Sequence, residues 1–239
     1  MKSTTHFAMA HIIFASLQKR GIYLNRIAFV YGNIAPDYLP SMLVPAHFSK
    51  TCSRMTEKIL SELSQVPICH NGRVGAEYSK KLGLMCHFLC DSFCFAHNGD
   101  FATGLTQHAA YERELDEYMR RNCLHILDVD GKCPVETYAE TSNLINYIET
   151  TKGDYLKAGY TLHNDLAFAF NACITAIVNA VAISKKIPAA STSIELEDFI
   201  TSLKSYATGK NIVFRMFFYK NRNSDIFFLP ELMPPIAAL

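Results

Sequence analysis

The stretch Leu82-Gly83-Leu84-Met85-Cys86-His87-Phe88-Leu89-Cys90-Asp91-Ser92-Phe93-Cys94-Phe95-Ala96-His97-Asn98 decides how the rest of this 239-residue chain is read. It is apolar enough to be a buried helix, yet it carries His87, Asp91 and His97. His87 and Asp91 are four residues apart, so on a helix an imidazole and a carboxylate share one face, roughly 6 Å apart along the axis. His97 falls just before Asn98-Gly99, a stop signal, and the pattern predicts one helix from about Val74 to Asn98. A single histidine in such a helix is ordinarily a hydrogen-bonded core residue. A buried carboxylate is more demanding, because without a partner its charge is very costly, so Asp91 requires a basic side chain or a cation beside it.

A second pair, His108 and Glu112, has the same spacing in the helical run Thr106 to Leu115. Upstream, Gly32-Asn33-Ile34-Ala35-Pro36-Asp37 and Pro45-Ala46-His47-Phe48 add a carboxylate and an imidazole, and His6 stands near the start. The inventory of eight nitrogen or oxygen donors, His6, Asp37, His47, His87, Asp91, His97, His108 and Glu112, suits two or three zinc ions at three or four donors each.

The spacing His-x3-Asp-x5-His followed by His-x3-Glu, preceded by a loop Asp and a lone His-Phe, resembles the zinc-dependent phospholipase C family. That family shares its trinuclear zinc site with the fungal single-strand-specific nucleases. The likeness covers residues 6 to 112, and the apolar run Leu82 to Asp91 looks like the family's core ligand helix. Carried over residue by residue, it implies one zinc at Asp37, His47, His87 and Asp91, and a second at His97, His108 and Glu112. A third zinc would take His6 and share Asp91. Family members complete that third site with the amino and carbonyl groups of an N-terminal Trp, whereas this chain has no Trp and only five residues before His6. The resemblance further implies metal-assisted hydrolysis of a phosphodiester, with Asp37 as the base that orients or deprotonates the attacking water.

Composition narrows the rest. A formal charge of +1 supplies no polyanion-binding surface, which favours a phospholipid over a nucleic acid as substrate. The eight cysteines lack a paired scaffold pattern, and Cys86, Cys90 and Cys94 fall on one helical stripe where small apolar residues pack. The apolar segment after Lys2 is interrupted by His6 and His11 and lacks an Ala-x-Ala cleavage site, so a cytoplasmic setting is expected.

The expected architecture is all-α: a single-domain multi-helix bundle over 1–239 with the zinc cluster between helices and a short irregular C-terminal tail. Ser3, Thr4 and Thr5 are cap candidates for a helix from about His6 to Lys19, ended by Gly21. Pro36 and Pro40 predict an extended loop carrying Asp37. Arg54 to Gln65 is amphipathic. His70 lies in a loop, and the charges from Arg113 to Arg121, Asp116 among them, read as a solvated face with i, i+4 pairs. Asp128-Val129-Asp130-Gly131 reads as a turn.

Pro134 is expected to open a helix to about Thr150, with Gly153 separating it from a long helix over Asp154 to Lys186. Leu166 to Ser184 carries no charge, but Asn171, Thr175 and Asn179 on one stripe favour a core helix over a membrane span. Thr192-Ser193-Ile194-Glu195 caps a last helix to about Tyr206, completing a helical remainder over 113–206. The tail, 207–239, alternates aromatic and basic residues, a composition that packs at a core edge or makes peripheral contact with a membrane.

Overall fold

A computed structural model of the chain describes residues 1–38, 49–63, 69–70, 73–98, 105–130 and 135–184. Its order is α1 (Ser3–Lys19), α2 (Arg26–Tyr38), α3 (Ser49–Leu63), β1 (Cys69–His70), β2 (Arg73–Val74), α4 (Ala76–Ser92), a 3-10 turn (Phe95–His97), α5 (Leu105–Asp130), α6 (Thr141–Ala158) and α7 (Leu162–Ile183). The fold is all-α apart from the two-residue antiparallel ladder of β1 and β2, which replaces the loop expected around His70. His47, the helix expected from Thr192 and the aromatic-basic tail lie outside the described residues.

Helix α4 is the central element, packed on α2, α3 and α7, with α1 also against it. Its approach to α2 is backbone to backbone. A Cβ on Gly83 would stand 2.1 Å from the Phe29 carbonyl oxygen, and one on Gly32 would stand 2.2 Å from that of Lys80. Only glycine permits such an approach, and the contact accounts for a departure from the sequence expectation. Residues 32–38 are helical rather than an extended loop, with Pro36 inside the last turn of α2. Pro36 lacks the N–H that would bond back one turn, but packing against α4 outweighs the local preference of the pair Ala35-Pro36. Asp37 is therefore displayed by a helix end.

Other boundaries differ for similar reasons. Helix α1 begins at Ser3 with Lys2 at its cap position and no side-chain cap bond. The Thr4 and Thr5 hydroxyls donate instead to Asp116 Oδ1, at 2.7 and 3.0 Å. Asp116 is buried, not part of a solvated face, although its ion pair with Arg120 at 2.9 Å has the expected i, i+4 spacing. Helix α5 runs through Asp128 to Asp130, so no turn forms there.

Residues 135–140 are not helical: Asn179 Oδ1 accepts the Tyr138 N–H at 2.6 Å, which removes it from any helix started by Pro134. Gly153 sits inside α6, and the break falls at Gly159, whose φ of 80° suits glycine. Helix α7 then starts at Leu162, where Thr161 accepts the Asn164 N–H. It is the one helix among the described residues long and apolar enough to cross a membrane, and 67% of its most apolar window is buried inside the protein. That burial matches the expected core helix.

Candidate metal centre

Helix α4 presents His87 and Asp91 on one buried face, then ends. Phe93 N–H closes on the Leu89 carbonyl and Cys94 N–H on that of Asp91, Cys94 is extended, and the 3-10 turn carries His97. The uninterrupted helix expected to Asn98 is thus broken six residues before its predicted end, and the break redirects His97 towards Asp91. His6 comes from the buried face of α1, and His108 and Glu112 come from the first turns of α5.

These side chains meet. His6 Nε2 lies 3.0 Å and His97 Nε2 3.6 Å from Asp91 Oδ1, with His87 Nε2 3.4 Å from Oδ2. His97 Nε2 and His108 Nε2 approach Glu112 Oε1 at 3.0 and 3.2 Å. Two groups, His6/His87/Asp91 and His97/His108/Glu112, each offer three donor atoms within 4.8 Å of one another. The rings of His6 and His87 stack at 4.0 Å, and those of His97 and His108 stand edge to face at 4.9 Å. Asp37, at the end of α2, is near enough to feel the charges of His87 and Asp91. Of the eight residues singled out in the sequence, six come together in these two groups, Asp37 belongs to neither, and His47 lies outside the described residues.

Sequence reasoning missed two backbone groups. The α-ammonium of Met1 lies at the hub, donating to Asp91 Oδ1 at 2.5 Å, to His97 Nε2 at 2.8 Å and to Glu112 Oε1 at 3.0 Å. The Asn33 carbonyl accepts the Nδ1 proton of His87 at 2.8 Å. Neither has a signature in residue type, since every chain has an amine and every residue a carbonyl.

Burial and charge set the protonation of the pocket. Burial pushes the His87 pKa down to about 3 and also lowers that of His6, so both rings are neutral. Burial works against the Asp91 charge, but His97, the Met1 ammonium and the His6 ring facing Oδ1 outweigh it and hold the carboxyl well below the usual range. Glu112 is lowered too: burial opposes its charge, and the Met1 ammonium and His97 prevail. Asp37 goes the other way, raised chiefly by burial and only partly offset by His87.

The donor set fits a divalent cation. With its Nδ1 proton committed to Asn33, neutral His87 turns the Nε2 lone pair towards a carboxylate oxygen, and a cation between the two relieves that repulsion. Two carboxylates, Asp91 and Glu112, face the single Met1 ammonium. Among the described residues, His6 Nδ1, Asp37 Oδ2 and both side-chain polar atoms of Asn33 are buried without a hydrogen-bond partner. Imidazole and carboxylate together are zinc donors, and neutral imidazole is the ligating form.

The chain was also compared with known proteins. Residues 5–162 match the family model described as zinc dependent phospholipase C. No curated protein and no solved structure matches.

Proposed function

This chain belongs to the zinc-dependent phospholipase C family, and from that membership and the pocket geometry we propose that it hydrolyses a phosphodiester, with a phospholipid as the first substrate class. The observation that carries the reading is the convergence of His6, His87 and Asp91 with His97, His108 and Glu112 in two adjoining groups, linked by the approach of His97 to Asp91.

In this reading Asp37, His47, His87 and Asp91 hold one zinc, and His97, His108 and Glu112 hold a second. His6 and Asp91 contribute to a third, next to the Met1 amine. When bound, zinc supplies the positive charge that lets water attack an anionic phosphodiester at neutral pH. The residues do the rest. Asn33 holds the His87 ring in the tautomer that presents Nε2. Asp91 stays ionised in the interior because the Met1 ammonium, His6 of α1 and His97 of the 3-10 turn face it. Asp37, at the end of α2 with a raised pKa, takes the proton of the attacking water. The near-neutral formal charge of +1 keeps lipid ahead of nucleic acid as the substrate.

The test combines metal analysis with turnover. The purified chain is expected to hold two or three zinc ions and to cleave a chromogenic phosphodiester and phospholipid vesicles faster than single-stranded DNA. Asp91→Asn is expected to lose zinc and all hydrolysis. A full metal complement without turnover overturns the hydrolase, and an Asp91→Asn chain that keeps every ion removes Asp91 from the donor set.

A further inference from the structure

On an unbroken α4, His97 would stand about 120° around the helix from Asp91, since six residues turn the axis by about 600°. The short turn after Ser92 is what returns its ring to Asp91 and Glu112, and a single 3-10 turn needs an outside support to hold one geometry. That support comes from α6 and α7. Asp165, fully buried near the start of α7, accepts the Phe95 N–H on Oδ2 at 2.9 Å. The same oxygen accepts the Tyr111 hydroxyl at 2.9 Å, and Tyr155 donates to Oδ1 at 2.8 Å.

One carboxylate oxygen therefore joins the backbone two residues before His97 to the side chain adjacent to Glu112. Lys152 on α6 braces the ends of the same segment, donating to the Ser92 carbonyl and, at 2.6 Å, to Asn98 Oδ1. Its ammonium lies over the Tyr155 and Phe93 rings, at 4.7 and 5.4 Å. The Phe95 ring packs on Tyr160 at 4.0 Å.

We propose that Asp165, held by Tyr111 and Tyr155 while Lys152 braces the ends of the turn, is a positioning residue that sets His97 against Glu112 and His108 and thereby builds the second metal position. The proposal rests on the metal-centre reading above and adds to it a residue beyond the 5–162 span of the family match. A conservative change is expected to weaken one metal position selectively. A carboxylate that only stabilised the fold would lower stability without choosing among the histidines.

The experiment has a metal-free arm and a metal arm. In the metal-free protein, ring 15N and 1H signals of His97 and His87 are compared in wild type, Asp165→Asn and Tyr111→Phe. The His97 signals are expected to shift or broaden, while those of His87, held by Asn33, stay in place. In zinc titrations against a chromophoric chelator, Asp165→Asn is expected to weaken one equivalent by about tenfold and leave the others unchanged. Should Asp165→Asn not fold, Tyr111→Phe carries both arms, because it removes one hydroxyl only. His97 signals that stay put, or a loss shared equally by His87 and His97, overturn the proposal. A wild-type chain that binds no zinc overturns the metal-centre reading, and the metal-free arm still decides whether Asp165 positions His97.

Discussion

His11 shows how a histidine five residues from a proposed donor serves the core. Its Nδ1–H donates to the Phe7 carbonyl at 2.8 Å, and burial lowers its pKa to about 3. Unfolded, it titrates near the ordinary value of about 6.5, so between those two values the unfolded chain binds more protons than the folded one. The resulting stability is complete above pH ~6.5 and is lost as the pH falls towards ~3. Metal-free His11→Leu is expected to show a shallower decline in urea-derived stability over that range than metal-free wild type; equal slopes would refute the assignment. The contrast with His87 is instructive. Both rings are buried, neutral and bonded through Nδ1 to a carbonyl, but His87 points its other nitrogen at Asp91. The i, i+4 spacing identified that difference, because helical period converts separation along the chain into a shared face.

Among the elements, most helices were legible, their boundaries were not, and α2 was hidden altogether. Helix α4 is written in its apolar run, but where it stops depends on hydrogen bonds from α6 and α7, which local sequence does not display. Helix α2 was obscured by Pro36, whose local preference is overruled by the Gly32 and Gly83 approach to α4. That approach yields a prediction. Gly83→Ala forces a methyl group against the Phe29 carbonyl, and the helices must separate or strain. A loss of about 1–3 kcal/mol in chemical denaturation is expected, as for other overpacked contacts. Because Asn33 N lies 3.0 Å from the same added carbon and the Asn33 carbonyl holds His87, zinc affinity is expected to fall as well. Unchanged stability would show that the two backbones are not in contact.

For the molecule as a whole, the decisive question raised by hydropathy was whether the charge-free stretch Leu166 to Ser184 lies in a bilayer or in the core. Asn179 answers at one position. It is buried, accepts the Tyr138 N–H, and donates to the Glu136 and Thr175 carbonyls at 2.8 and 2.9 Å. Asn179→Leu strips partners from residues 136–138 and is expected to cost about 1–3 kcal/mol in urea denaturation, the usual penalty for stranding buried polar groups. A helix lying in lipid would instead gain from the same change, so undiminished stability would return α7 to the membrane reading.

Residue order alone was enough to establish a helical protein with two paired His-carboxylate faces and a catalogue of donors from five separated segments. Those are local properties, set by helical period and by the cost of burying a charge. Three-dimensional packing settled the remainder: the break that turns His97, the helix end that carries Asp37, the Met1 ammonium among the donors, and Asp165 bridging two segments. Each of these depends on groups far apart in the chain or on backbone atoms common to all residues, so no reading of neighbouring residues contains them.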